Sequence, residues 1–475
     1  MRSNLTYTLN EIAEIYDGPH ATPKKLEAGS AVFLSISSIE NGRLNLEKSS
    51  FISEDDFIKW TRRVTPRAGD VVFSYETKIG EASIIPEGLR CCLGRRMGLL
   101  RAKQDKVLPQ YLLYAYLSPA FQDVIREKTI HGSTTDRLSI KEMPSFEIEL
   151  PDIHTQKKSI QILSSIDNKL SKNAEINQTL EQMAQALFKS WFIDFEPVKA
   201  KIAIQEAGGS QEDATLAAMT AISGKDADSL AIFEREHPEK YAELRGTAEL
   251  FPSAMQESEL GEIPIGWSCK PISQIVMVKS GYAFKSKDFT DSGFPVIKIK
   301  NIIGDGTVDA DDCKYVTSET ALGLDRFLIK NGDVLLAMTG ATVGKVGVFV
   351  NNGLPVYLNQ RVAKFECRKE LNCNWFVYNI VSRSDFTSQV LSTAQGSAQP
   401  NISAKEIENM LRVIPLNSLI IAYEDCVSKL YQLVMHNRLK NRLLIQLRDT
   451  LLPKLLSGEI TLPEAEEMAK EPDYV

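Results

Sequence analysis

The sequence predicts an α+β protein built from two similar mixed α/β domains with two matching long helices. Three observations lead there: an internal repeat, mixed strand and helix patterning inside each copy, and a heptad seam after each copy. At 475 residues the chain is long for a single core, and length alone suggests about three units. The repeat is the strongest sign. GDVVFSYETKIGEASIIPEG from Gly69 matches GDVLLAMTGATVGKVGVFVNNG from Gly332, and LGRRMGLLR from Leu93 matches LNQRVAKFE from Leu358. HGSTTDRLSIKEMPSFEIELP, ending at Pro151, matches QGSAQPNISAKEIENMLRVIP, ending at Pro415. The three pairs share one order and a spacing of roughly 264 residues, which marks a duplicated domain rather than a solenoid.

Within each copy, β-branched and apolar runs follow Gly-Asp turns. Val71–Tyr75, Val334–Met338 and Val346–Val350 therefore read as strands. Gln110–Glu127 and Asn374–Val390 carry apolar residues at helical spacing. Each copy leaves through a Gly-Ser turn and a strand to a proline, and a long helix follows. The expected boundaries are 1–152 for the first domain, 153–197 for the first long helix, 259–416 for the second domain and 417–460 for the second long helix. A tail occupies 461–475. Residues 198–258 interrupt the repeat as an acidic, Ala-rich stretch, either a small helical insertion or linker, or a partner-binding element.

The helices carry a sharper pattern. Leu163, Ile166, Leu170, Asn173, Asn177, Leu180, Ala184, Leu187 and Trp191 step by alternating threes and fours, the seam of a coiled coil. The equivalents are Val427, Leu430, Val434, Asn437, Asn441, Leu444, Arg448, Leu451 and Leu455. Asn173 with Asn177, and Asn437 with Asn441, fall at the same two seam positions. A seam asparagine costs stability but penalises slipped registers, so these four residues are expected to set alignment. About thirty helical residues span roughly 45 Å, more than one turn of DNA at about 34 Å.

Composition is that of an ordinary globular protein, 43% hydrophobic and 25% charged. No apolar run is long enough to span a membrane, and the first residues lack the basic-then-apolar pattern of a secretory signal. The seven cysteines form no CxxC, which fits a reduced cytoplasm better than a disulfide framework or a zinc site. A net charge of −7 argues against a nucleic-acid partner at first sight. The excess is local, because residues 200–262 hold five Lys/Arg against thirteen Asp/Glu, and the remainder is near neutral.

Catalytic motifs are missing. GATVGK at Gly340–Lys345 resembles a phosphate loop, but its glycines are one residue too close and Val346 replaces Ser/Thr. Gly304 and Gly306 sit in a turn, not a complete GxGxxG. Asp309, Asp311 and Asp312 lack the glycine and closing glutamate of a calcium loop. There is no HExxH, GxSxG or NPPY/DPPY string. An enzyme acting alone is not expected, and no metal site is.

The repeat, the QGSAQPNIS element and the strand-proline-helix exit resemble the specificity subunits of type I restriction-modification enzymes. LFKSWFIDFEP (Leu187–Pro197), ELGEIPIGW (Glu259–Trp267) and LRDTLLPKLLSGEI (Leu447–Ile460) strengthen the resemblance, which covers essentially the whole chain. It implies two target-recognition domains, helices packed antiparallel with pseudo-two-fold symmetry, and a split asymmetric double-stranded DNA target. It also implies a non-catalytic chain that recruits two modification subunits and the restriction subunits. S-adenosylmethionine for adenine methylation, and ATP and Mg for translocation and cleavage, would sit on those partners. The first copy departs from the pattern with HGSTTDRLS, and lacks the SGYAFKSKDF string of Ser280–Phe289.

Candidate contacts follow from side-chain chemistry. Arginine reads guanine, and Asn or Gln reads adenine, so Asn359, Gln360 and Arg361 have the right inventory, with Arg95 and Arg96 in the matching turn. These arms could equally pair with local carboxylates. Lys78 and Lys345, in glycine-containing turns, suit phosphate. Thr134, Thr135 and Arg137 match Ser397, Gln399 and Asn401 as polar turns that either face DNA or cap the next element. Tyr282, Phe284 and Lys285 form an aromatic-basic turn, for base contact or for core packing. Leu187, Phe188, Trp191 and Phe192, with Leu451, Leu452 and Leu455, serve either the coil or a partner surface. The competing reading is a coiled-coil scaffold with two peptide-binding domains and no DNA role.

Overall fold

The computed structural model describes residues 4–40, 42–132, 135–351, 353–368, 371–394 and 400–457. The chain divides into two compact units, one holding residues up to 172 with those from 441 onward, the other holding 173–440. Each unit thus takes one recognition domain and part of each long helix.

The first unit contains a four-stranded antiparallel sheet in the order Ala13–Asp17, Met97–Ala102, Val71–Ser74, Ala82–Ile84. A second sheet sets Ala31–Leu34 between Ser50–Ile52, antiparallel, and Cys91–Leu93, parallel. Leu5–Thr8 pairs with Glu147–Leu150. The second unit repeats this connectivity. Val276–Ser280, Val362–Cys367, Val334–Ala337 and Val346–Val348 form the equivalent sheet, extended by Gly306–Thr307. Phe294–Ile297 lies between Lys314–Val316 and its parallel neighbour Val356–Leu358, and Ser268–Pro271 pairs with Leu411–Ile414. Duplication is therefore visible in strand order and direction as well as in residues.

The Gly-Asp motif that marks the repeat is structural. Gly69 and Gly332 have φ of +88° and +90°, in the left-handed region open to glycine. The turn lets Asp70 accept the Arg67 N–H at 2.8 Å, and Asp333 the Lys330 N–H at 2.7 Å. Each carboxylate then meets a cation on the neighbouring strand. Asp70 holds Arg101 by two hydrogen bonds of 2.7 and 2.9 Å, whereas Asp333 meets Lys364 at 3.4 Å.

The expected helix after each sheet is broken in two. Pro109–Leu117 ends at Ser118, whose hydroxyl accepts the Phe121 N–H and opens Pro119–Glu127. Proline at the first turn needs no amide partner and starts a helix readily. In the second unit Asn374–Val381 and Ser384–Ala394 divide in the same way.

The long helices run Ile153–Phe192 and Asn417–Ser457, forty and forty-one residues. Within each unit their segments pair antiparallel. In the second unit Asn437 Nδ2 donates to Asn177 Oδ1 at 2.9 Å, Arg438 pairs with Glu181 at 2.8 Å, and the Tyr423 hydroxyl donates to the Ala184 carbonyl at 3.0 Å. In the first unit Arg448 reaches Asp167 at 3.4 Å, and Leu163, Ile166 and Leu170 share a core with Leu444, Leu451 and Leu455. Asn177 and Asn437 are buried. Each satisfies the other, so the net gain is about 1 kcal/mol while an offset register would strand both. Asn173 and Asn441 are half-buried.

The seam departs from the expected heptad at one place in each helix. Phe188 and Tyr431 are buried, and Leu187 and Leu430 only partly. The step lengthens to four because an α-helix has 3.6 residues per turn, so a stripe facing a sheet domain drifts from a strict 3.5 repeat. Phe188, Trp191 and Phe192 pack on Phe376, Tyr423 and Phe251 in the second unit's core. Their burial takes up much of the face left open above for a partner.

Between 196 and 249 the acidic segment forms four helices, Glu196–Glu206, Gln211–Ser223, Ala227–Glu236 and Pro238–Glu249. They bury Ala218, Met219, Leu230 and Ala248 together. Lys201 is buried, and its ammonium donates to the Phe251 carbonyl at 2.6 Å. Among the described residues no helix is long and apolar enough to cross a membrane, and no three His, Cys, Asp or Glu side chains gather as metal ligands.

Candidate nucleic-acid interface

In the second unit, four chain segments cross at the ends of the sheets. The Met338 N–H donates to the Arg361 carbonyl at 3.0 Å, and the Met338 carbonyl accepts the Ile402 N–H at 2.9 Å. Thr339 and Asn401 form an antiparallel bridge, and the Gly340 N–H donates to the Pro400 carbonyl at 3.0 Å. The fourth segment enters at Gly281-Tyr282. The Tyr282 N–H donates to Leu358 at 2.8 Å, and its carbonyl accepts the Gln360 N–H at 2.9 Å. Only glycine allows this approach, since a Cβ at Gly281 would lie 2.1 Å from the Leu358 carbonyl oxygen.

Candidate residues from three distant strings are thereby brought together. Gln360, Arg361 and Asn401, with Met338, Thr339 and Pro400, line a cavity of about 380 Å³. Gln360, Arg361 and Asn401 are exposed. Among the described residues no carboxylate pairs with Arg361, so five donors remain on offer. The Thr339 hydroxyl is buried and has no hydrogen-bond partner among the described residues.

The first unit makes the same crossing. The Tyr75 N–H donates to the Arg96 carbonyl at 3.3 Å, the Tyr75 carbonyl accepts the Leu138 N–H at 2.8 Å, and Glu76 bridges Arg137. Position for position, Tyr75 stands for Met338, Glu76 for Thr339, Arg96 for Arg361 and Arg137 for Asn401. The contents differ. Arg96 Nε lies 2.8 Å from the Glu76 carboxylate, so this arm is paired, as one reading of the sequence allowed. The Nε–H is not aligned on the oxygen, which makes the contact charge pairing rather than a directed hydrogen bond.

Thr77 and Arg96 adopt φ of +72° and +71°. A β-branched threonine in the left-handed region is strained; its counterpart, Gly340, has nearly the same φ at +73° without that cost. Beneath the crossing, the Tyr75 hydroxyl donates to Asp17 at 2.9 Å, and Asp17 also meets His20 at 3.1 Å and Arg63 at 3.8 Å. Burial, and then the Asp17 charge, push the Tyr75 phenol well above its ordinary range.

The remaining candidates divide. Arg95, Arg137, Lys285 and Lys345 are exposed, and Asn359 and Thr135 are half-buried. The Lys345 stem lies against Gly304. Lys78 is half-buried and donates to the Ile39 carbonyl at 3.2 Å, which leaves it poorly placed for phosphate. Phe284 is buried among Tyr282, Phe289 and Phe327, so packing claims its ring. Tyr282 is half-buried. Thr134, Ser397 and Gln399 lie outside the described residues. The phosphate-loop look-alike at Gly340–Lys345 spends four amides on the chain's own carbonyls, those of Pro400, Gly340, Ala337 and Thr342. Cys91 and Cys92 are buried, and burial pushes both thiols up to about 12, far from a nucleophile's range.

Sequence reasoning missed Asp17, His20, Arg63, Glu76 and Thr339. Glu76 could have been found, because the aligned repeat exchanges it for threonine beside an arginine common to both copies.

The model of the type I restriction modification DNA specificity domain matches residues 3–182 and matches again over 264–418. The chain belongs to this family. It is 31% identical over 369 residues to the type I restriction enzyme HindI specificity subunit of Haemophilus influenzae, covering 74% of this chain and 78% of that one. It is 22% identical to the MjaIX specificity subunit of Methanocaldococcus jannaschii, covering 96% and 90%. The crystal structure of an S subunit from M. genitalium has the same fold, with a TM-score of 0.50 at 14% identity over 96% of this chain and 97% of that one. This specificity subunit is therefore a DNA target-recognition component of a restriction-modification complex, not its catalyst. The peptide-scaffold reading is set aside, since the family's own description names DNA.

Proposed function

We propose that this specificity subunit reads a split, asymmetric double-stranded DNA target, one part with each recognition domain. It directs two adenine-methylating modification subunits and ATP-dependent restriction subunits to that target. The observation that carries the reading is the repeated loop crossing, which has one backbone plan and two sets of polar side chains. Identical readers would favour a symmetric site, whereas Glu76, Arg96 and Arg137 against Gln360, Arg361 and Asn401 offer different chemistry to base edges. S-adenosylmethionine, ATP and Mg are placed on the partners, and the complex in the cytoplasm. Partners supplying part of the phosphate clamp would fit a chain that is near neutral outside its acidic insertion.

Methylome mapping with and without this chain tests the proposal. A two-part adenine-methylated motif that disappears on deletion is the expected result. A methylome unchanged by deletion, or a lost motif that is continuous and palindromic, would overturn it.

A further inference from the structure

We infer that the crossing of the first copy reads an amino-bearing base edge through Glu76, positioned by Arg96, while the crossing of the second copy reads guanine through Arg361. This rests on the DNA-reading function proposed above and adds the chemistry of each half-site.

The two arginines hang from equivalent backbone, each offering its carbonyl to the amide at the matched position, Tyr75 or Met338. Their fates are set by the residue that follows. Beside Arg96 stands Glu76, 2.8 Å away, and the Arg96 and Glu76 side chains are 32% and 22% exposed, so the pair is reachable from solvent. The second carboxylate oxygen of Glu76 accepts no hydrogen bond from a described side chain. A carboxylate only accepts, and in the major groove the donors are the cytosine N4 and adenine N6 amines. The left-handed backbone at Thr77 and Arg96 brackets Glu76 on both flanks.

Beside Arg361 stands Thr339, neutral and buried, which cannot hold a guanidinium charge. Arg361 stays exposed and lines the cavity of about 380 Å³ together with the exposed Gln360 and Asn401. A free guanidinium matches guanine O6 and N7, and the neighbouring amides suit an adjacent adenine. Were Arg96 the reader in the first copy, it would have to abandon Glu76 and leave that carboxylate facing DNA without its partner.

The full-length chain, in complex with its modification subunits, is bound to a randomised duplex library and the bound DNA is sequenced. Wild type should enrich a two-part site. Glu76→Ala should relax base preference at one position of one half-site, and Arg96→Met should weaken preference at that same position while sparing the rest. Arg361→Met should relax a guanine in the other half-site. Replacing the base read by Glu76 with purine or 2-pyrimidinone, which lack the exocyclic amine, should weaken wild-type binding about tenfold and leave Glu76→Ala binding unchanged. 7-Deazaguanine should act likewise on wild type but not on Arg361→Met.

Unchanged preferences in a folded Glu76→Ala complex would overturn the inference. If that variant does not fold, a wild-type complex indifferent to amine removal throughout the half-site overturns it equally. Enrichment of no sequence at all would instead defeat the DNA-reading function itself.

Discussion

Tyr75 and Met338 occupy the same point in the two copies and make the same two backbone hydrogen bonds, yet the surroundings differ in charge and in strain. Around Tyr75 the chain gathers Asp17, Glu76, Arg63 and Arg96, and holds Thr77 in the left-handed region. Around Met338 it uses threonine, glycine and asparagine and leaves an open cavity. Duplication thus preserved the hydrogen bonds that make the crossing and freed the side chains that hang from it. Backbone bonds between strand ends cannot be lost without unfolding the loops, whereas an exposed side chain can change at a cost of tenths of a kcal/mol.

The same contrast extends to the framework. Asp70 and Asp333 are equivalent, but only Asp70 has a two-bond guanidinium partner. Asp70→Ala should destabilise the first unit by about 3 kcal/mol, since it leaves Arg101 uncompensated beside a buried turn. Asp333→Ala should cost about 1 kcal/mol or less. Burial pushes the Asp333 carboxyl up, and its cation lies farther off at 3.4 Å, so this pair is the weaker of the two. Hydrogen exchange on Met97–Ala102 against Val362–Cys367 would read the two effects side by side, and equal losses would remove the asymmetry.

A second difference lies where the long helices meet the sheet domains. Glu424 is buried and accepts the Phe376 N–H at 2.7 Å, and its other oxygen has no hydrogen-bond partner among the described residues. The equivalent position in the first copy is Ile160, which packs in an apolar core. Burial raises the Glu424 carboxyl from 4.5 to about 7. A raised acid costs nothing below its unfolded value, costs progressively more as pH climbs through this window, and carries the full penalty above about 7. Glu424→Gln keeps the acceptor and removes the charge, so it should add about 1–3 kcal/mol at pH 8 and almost nothing at pH 4. Denaturant midpoints of the second unit at the two pH values would check this, and a gain equal at both would refute it.

The smallest effect separates the two candidate phosphate lysines. Lys345→Met should lower the slope of log affinity against log salt by about one. Lys78→Met should leave it unchanged, because that ammonium is engaged with the Ile39 carbonyl. Equal changes in slope would place both lysines on the phosphate backbone.

Some features were legible in the residues because they are local or periodic. The repeat placed both copies, the Gly-Asp turns marked the start of each central strand, and the aligned asparagines named a seam that the Asn177–Asn437 bond realises. Such patterns depend on residues two, three or four apart, where geometry follows from the strand and helix periods. The site was legible as an inventory only. LNQR and the polar turns were named, but nothing local said that Arg361 meets Asn401 and Thr339 across a cavity, or that Phe284 turns inward.

The sequence by itself determined the duplication, the strand and helix content and the register signal of the seam, all of which repeat at short range. Tertiary structure decided which arginine is held by a carboxylate and which stands free, and where the seam shifts to Phe188 and Tyr431. Those outcomes depend on contacts between residues tens to hundreds of positions apart. Strand pairing and the direction of each turn set such contacts only once the whole unit has packed.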